Sequence, residues 1–198
     1  ARQKQLEEKW DSIWGKSTQK QKHEVPNTTD FNNKKIKLPD DLYQHQKRGR
    51  EKWKSAGFKG ILEYATGSGK TLTSLSLIKE HLNTKGHAIV LLPSDALLHQ
   101  WEEEFDTHLP EFTKGLLGGG HKDDSILDEM RIPSQQGIAL LSTIQSFRAE
   151  KIQRKVDRLL SLKGTELLIV VDECHRIGAP SFEELCKKKF PYKLGLSA

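Results

Sequence analysis

Cysteine, methionine and long apolar stretches are scarce in this chain of 198 residues, and each scarcity excludes a class of protein. Two cysteines, Cys174 and Cys186, cannot build a disulfide framework, and neither stands in a C-x-x-C pair or a Cys/His cluster with zinc spacing. That usage fits a reducing compartment: the cytoplasm, with the nucleoid or nucleus included. The longest uninterrupted apolar runs, 88–92 and 167–171, are five residues each, whereas a bilayer span takes about 20. No membrane segment is therefore expected. The chain opens on Ala1 without an apolar signal stretch and holds a single methionine, Met130, so it reads as a piece of a longer protein. Proline and glycine are modest at 7 and 15 residues, which excludes collagen-like and low-complexity chains.

What is present is a globular balance, 35% hydrophobic and 30% charged, with length for one full core. Lys and Arg exceed Asp and Glu by 32 to 27, a net charge of +5, and the surplus is unevenly placed. Residues 1–60 hold 15 basic against 8 acidic side chains, whereas residues 61–198 hold 17 against 19. The basicity belongs to the leading segment, read chiefly as solvated surface, with a phosphate-contacting patch as the other reading. Within that segment Leu6, Trp10, Ile13 and Trp14 fit one stripe of a helix around 3–13, and 15–37 has linker composition. Residues 1–37 are thus expected to form a helical segment and basic linker, and 38–198 the domain proper.

From Leu38 onward, short apolar runs alternate with amphipathic stretches. Strands are expected at 60–64, 87–92, 113–117, 137–142, 166–171 and 192–196, and helices at 41–55, 70–83, 95–106, 124–130, 149–161 and 181–188. Continuous apolar strands, each followed by a helix, imply an α/β fold with a mostly parallel sheet covered on both faces. In such sheets ligands bind at the carboxyl ends of the strands.

Two segments at strand ends carry chemistry. Between an expected strand and an expected helix lie Ala65, Thr66, Gly67, Ser68, Gly69, Lys70 and Thr71. Small residues let successive backbone N–H groups point inward, the helix start adds its positive dipole end, and a polyphosphate can be cradled there. Lys70 would reach the β and γ phosphates and Thr71 would take one position on Mg²⁺. The pattern G-x-x-x-x-G-K-[ST] asks for glycine at position 64, where this chain has Tyr64. The second segment is the buried run 167–171, which ends in the adjacent carboxylates Asp172 and Glu173. Asp172 is read as the Mg²⁺ residue and Glu173 as the general base for an attacking water. A helix start that favours acids is the plainer reading of that pair.

Residues 65–71 resemble motif I, and Asp172, Glu173, Cys174 and His175 resemble the D-E-x-H form of motif II, of superfamily 2 helicases and translocases. Leu42, Tyr43, Gln44, His45 and Gln46 resemble the segment preceding motif I, with Gln46 at the position that reads adenine. Leu91 to Ser94 with Leu97, Gln100 and Trp101 resemble motif Ia. Residues 141–146 resemble the T-x-Q-S segment of motif Ib, and Leu196, Ser197 and Ala198 the start of the S-A-T coupling motif. Residues 172–182 are similar to those of the branch that contains type III restriction subunits.

This resemblance implies a three-layer RecA-like P-loop domain that binds ATP and Mg²⁺ and moves on nucleic acid, as part of a DNA helicase or translocase of a restriction, defence or repair type. It implies nucleotide contacts from Gln46 and residues 66–71, coupling of hydrolysis to movement by His175 and Ser197, and a face of Pro93, Ser94, Gly118, Gly119 and Thr143 that follows a nucleic-acid backbone, DNA favoured over RNA. It further implies a second RecA-like domain that supplies arginines to the transition state, so slow turnover by 1–198 alone is expected. The alternatives are an RNA helicase motor domain, or a module that binds nucleic acid or a partner around a vestigial ATP site.

Other residues invite plainer readings. His99 and His108 flank a helix rich in glutamate, yet nine residues do not set two histidines on one face for a shared ion. Trp53 and Trp101 occupy apolar helix positions and are read as core, and Lys187, Lys188 and Lys189 as solvated surface.

Overall fold

The alternation described above gives all six expected strands and five of the expected helices among the described residues, with one further short strand and one further short helix. The computed structural model describes residues 38–176 and 188–198; the expected helix around 3–13, the linker and nearly all of the expected helix at 181–188 lie outside them. In chain order the elements are α1 (Gln44–Ser55), β1 (Lys59–Glu63), α2 (Lys70–Asn83), β2 (His87–Leu92), α3 (Asp95–His108), β3 (Lys114–Gly118), β4 (His121–Lys122), α4 (Ile126–Glu129), β5 (Ala139–Thr143), α5 (Ile144–Phe147), α6 (Glu150–Ser161), β6 (Leu167–Val171) and β7 (Tyr192–Ser197), with a 3-10 turn at Cys174–Arg176 after β6. No helix among the described residues is long and apolar enough to cross a membrane.

The strands form one sheet in the order β1-β7-β6-β2-β5-β3-β4, parallel throughout except for the antiparallel β3–β4 pair. Every residue of β2, β5 and β6 is buried, as expected for strands covered on both faces. Alternation along each strand divides the core in two. Ala88, Val90 and Leu92 with Leu168 and Val170 pack under α1, α2 and α3, where Trp101 and Phe105 fill the layer. Ile89 and Leu91 with Leu167, Ile169 and Val171 face the other way, toward Ile126, Leu127, Phe147 and the α6 stripe of Ile152, Val156 and Leu159. Full burial of one such aliphatic side chain contributes about 1.5–3 kcal/mol, so these two layers hold the strand ends in place.

Two elements were not legible as periodic patterns. Gly118, Gly119 and Gly120 all have positive φ, at 111°, 56° and 91°, and this run turns β3 back on itself to make the two-residue β4. The expected helix at 124–130 shortens to Ile126–Glu129 because the segment before it serves β3. The Asp123 carboxylate accepts from Leu116 N–H at 3.0 Å, and Asp123 N–H donates to the Leu116 carbonyl at 3.0 Å. The four-residue α5 is likewise too short to show a period; Thr143 caps it by accepting from Ser146 N–H at 3.3 Å.

Candidate functional site

Parallel strands bring six chain crossings to one edge of the sheet, and the strand-end residues singled out in the sequence stand on it. β1 runs into residues 64–69 and α2, β7 ends at Ser197, β6 leads to Asp172, β2 leads to Pro93 and Ser94, β5 ends at Thr143 and β3 at Gly118. The first three strands are neighbours, so the loop before α2, the paired carboxylates and Ser197 meet.

Gly67 and Gly69 adopt φ of 78° and 82°, a region L-residues with a Cβ seldom enter. Gly69 is also needed for space: a Cβ there would lie 2.1 Å from Gln46 Nε2. Gln46 is buried, its Nε2 donating to the Ser68 and Gly69 carbonyls at 3.2 Å each and its Oε1 accepting from Tyr43 N–H at 2.8 Å. The residue expected to read adenine is therefore the strut between α1 and the loop. His45 Nε2 stands 3.0 Å from the Ser68 carbonyl as a second strut.

Tyr64, at the position where the pattern asks for glycine, has a structural partner. Its hydroxyl donates to the His45 carbonyl at 3.1 Å and lies where a Cβ on Gly49 of α1 would be, 1.8 Å away. The ring thus needs glycine opposite it, and burial pushes the phenol up to about 12.

Lys70 Nζ donates to the Tyr64 carbonyl at 3.0 Å. From there a continuous path crosses the edge. Tyr64 N–H donates to the Ser197 carbonyl at 3.1 Å, Ser197 Oγ is 3.2 Å from His175 Nδ1, and His175 Nε2 is 3.3 Å from Glu173 Oε2. The loop lysine and the second carboxylate are thereby linked through the two residues expected to couple hydrolysis to movement. Glu173 itself has φ of 50°, an uncommon conformation for a side-chain-bearing residue and one that functional sites retain.

Asp172 is buried, 7% exposed, and burial raises its pKa above the usual carboxylate range. Trp101 Nε1–H donates to its Oδ2 at 2.9 Å, Glu173 N–H donates to its Oδ1 at 2.9 Å, and the Lys70 charge acts on it as well; all three favour the ionised form. Trp101 is core, as expected, but its indole also orients the carboxylate. The available signal was general: a buried indole N–H needs an acceptor. Cys174 is buried, with Sγ where a Cβ on Gly195 would come within 3.0 Å, which fits its reading as a structural residue.

A polyphosphate with Mg²⁺ fits this donor set. A left-handed glycine loop opens a helix, one lysine is held at the loop, and a buried carboxylate lies within reach of that lysine's charge. Thr71, in the first turn of α2, is half-buried beside them.

On the other half of the edge the polar groups cap helix starts and tie α3 to the turn after β3. Ser94 Oγ caps α3 through Leu97 N–H at 3.3 Å, and Gly119 N–H donates to Asp95 Oδ1 at 2.9 Å. Thr143 is 5% exposed and its hydroxyl donates to Ser146 Oγ at 3.0 Å. A Cβ on Gly118 would meet Thr143 Oγ1 at 2.5 Å. Pro93, Ser94, Gly118, Gly119 and Thr143 are thus neighbours at one surface; Ser94 is exposed and Thr143 lies beneath it.

The family model described as the type III restriction enzyme, res subunit, matches residues 37–198. A curated relative, the type I restriction enzyme SauCOLORF180P endonuclease subunit of Staphylococcus aureus (strain COL), is 29% identical over 136 residues, 68% of this chain and 14% of that protein. The putative helicase L115 of Acanthamoeba polyphaga mimivirus is 31% identical over 112 residues, 54% of this chain and 8% of that one. This chain therefore spans a small part of the length of these two relatives. Among solved structures, the UvsW helicase from bacteriophage T4 superposes with a TM-score of 0.60 at 21% identity, over 79% of this chain and 52% of that one. A nuclease-deletion mutant of the Type ISP restriction-modification enzyme LlaGI, in complex with a DNA substrate mimic, gives 0.56 at 20%, over 79% and 17%. These neighbours establish the expected three-layer fold.

Proposed function

The chain belongs to the type III restriction enzyme, res subunit family, among the superfamily 2 helicases, and from that premise we propose that residues 38–198 are the first motor domain of an ATP-driven DNA translocase. The observation that carries the reading is the linked path from Lys70 through Tyr64, Ser197 and His175 to Glu173, beside the buried Asp172.

In this reading the N–H groups of residues 66–69 and the start of α2 hold phosphate oxygens, and Lys70 Nζ exchanges the Tyr64 carbonyl for the β and γ phosphates. The Thr71 hydroxyl and Asp172 would hold Mg²⁺, which would neutralise phosphate charge when bound. Glu173 aligns the attacking water and takes its proton. Protonation of Glu173 weakens its contact with His175, and the change reaches Ser197 and the end of β7. Gln46 carries contact with the base onto the loop through its bonds to Ser68 and Gly69. A second domain supplies arginines, each worth about 10³–10⁵ in rate, so residues 38–198 alone turn over slowly.

DNA is favoured because restriction endonuclease subunits stand among the relatives and a DNA substrate mimic is bound in one structural neighbour. Contacts run along the backbone, from Pro93, Ser94 and Gly118 to Gly120, with Thr143 supporting the surface from below.

The test is steady-state ATPase of the full-length protein with no nucleic acid, duplex DNA, single-stranded DNA or RNA, with Lys70→Ala as the blank. Stimulation by duplex DNA of a Lys70-dependent rate is expected. Stimulation by RNA alone replaces the substrate and keeps the motor; a Lys70-dependent rate that nothing stimulates, or no such rate, removes the translocase reading.

A further inference from the structure

Away from the phosphate loop, one cluster has ligand chemistry that the motor reading does not use. His108 turns to Glu104, with Nε2 3.3 Å from Oε2, while His99 faces a histidine from another element. His99 and Glu102 lie three residues apart on one face of α3, with His99 Nδ1 3.6 Å from Glu102 Oε2. His121 opens β4, and its ring centroid is 6.2 Å from that of His99 with the planes at 66°. One ligand atom from each of the three lies within 4.8 Å of the other two. No other group of three His, Cys, Asp or Glu among the described residues converges in this way.

We propose that His99, Glu102 and His121 form a three-ligand site for a divalent transition-metal ion of the zinc class, which fastens the β3–β4 hairpin to α3. The donor set selects the ion. Two imidazoles and one carboxylate suit zinc, copper, nickel or iron, whereas magnesium and calcium favour oxygen alone. Ligand atoms about 2.0–2.2 Å from a tetrahedral ion stand about 3.2–3.6 Å from one another. From separations of up to 4.8 Å the cluster must therefore contract by at most about 1.2–1.6 Å. Side-chain rotation supplies that, because the His99 and Glu102 side chains are 52% and 28% exposed.

The backbone beneath is already set. Gly118 pairs with His121 and Leu117 with Lys122 across the hairpin, and Gly119 N–H is held by Asp95 at the start of α3. Close approach is built in as well: a Cβ on Gly119 would come within 3.3 Å of His99 Nε2. Three protein ligands leave a coordination position for water or an incoming group. The hairpin edge is where that position opens, since His121 and Lys122 are both exposed. The inference rests on these contacts and not on the motor reading, and its failure would leave that reading intact.

The experiment titrates Zn²⁺ calorimetrically into chelator-stripped full-length protein in excess Mg²⁺, which occupies the oxygen sites. Expected is a site that His99→Ala and His121→Ala each weaken by more than about 10-fold, and that His108→Ala leaves unchanged. Co²⁺ in place of Zn²⁺ should give a visible d–d band that the same two substitutions remove. Independently of any variant, Zn²⁺ should slow amide exchange at 119–122 in the wild-type protein. No Zn²⁺ binding by the wild type, equal binding after His99→Ala and His121→Ala, a loss shared by His108→Ala, or unaltered exchange at the hairpin would each overturn the proposal.

Discussion

The two halves of the sheet's carboxyl edge use polar residues in opposite ways. Along β1, β7 and β6 the polar groups reach across elements: Gln46 to the loop, Lys70 to Tyr64, His175 to both Ser197 and Glu173. Along β2, β5 and β3 they fasten backbone: Ser94 and Thr143 cap the helices they precede, and Asp95 ties the start of α3 to Gly119 after β3. The first half is a network in which a change at one residue is felt on another strand. The second is a set of capped helix starts and one tied turn, which fixes the backbone of that surface. Trp101 joins the two, since it stands on α3 and donates to Asp172.

Substitutions should separate the halves, and the largest effect is expected in the network. Glu173→Gln should lower ATPase by about 10²–10⁴-fold, the usual worth of a general base, while leaving DNA affinity near wild type by equilibrium binding. Loss of both together would break the distinction. Gly118→Ala should cost about 2–4 kcal/mol of stability, from a φ of 111° and the encounter of its Cβ with Thr143. Chemical denaturation measures it, and the DNA-independent ATPase rate at low temperature should stay near wild type.

Trp101→Phe tests the join. It leaves a buried carboxylate oxygen without its donor, at about 1–3 kcal/mol, and sharpens a pH dependence. Asp172 already titrates above the ordinary carboxylate range because it is buried, and the indole N–H opposes that rise. Without it the pKa climbs further, so the ionised form that Mg²⁺ needs is lost at higher pH as the solution is acidified. The acid limb of the ATPase profile should therefore move upward in pH; an unmoved limb would detach Trp101 from the site.

The smallest effect is expected at a surface ion-pair cluster between the β3–β4 hairpin and α6. Asp124, beside α4, is paired with Lys151 and Lys155 at 2.8 and 2.7 Å, and these lysines hold its carboxyl at about 2 instead of the usual 3.8. A folded-state pKa below the unfolded one stabilises above the unfolded value and is lost as pH falls through the folded value. Asp124→Asn should therefore cost less than about 1 kcal/mol at neutral pH, and its stability difference from wild type should vanish as pH falls from 3.8 toward 2.

Local signals in the chain go far toward this architecture. The runs 88–92 and 167–171 read as strands covered on both faces, which they are, and Gly67, Gly69 and Lys70 between a strand and a helix carry the pattern of a phosphate loop, because glycine content, apolar continuity and turn chemistry are properties of adjacent residues. Asp172 and Glu173 stand out for the same reason, two charges ending an apolar strand. Tertiary structure alone decided the rest. It set Tyr64 against Gly49, gave Gln46 the loop carbonyls and joined Trp101 to Asp172. It also placed His121 beside His99 where spacing along the chain offered only His108. Each of these is a contact between elements that no periodicity relates, fixed by strand order and, for Gln46 and Trp101, by the need of a buried polar group for a partner.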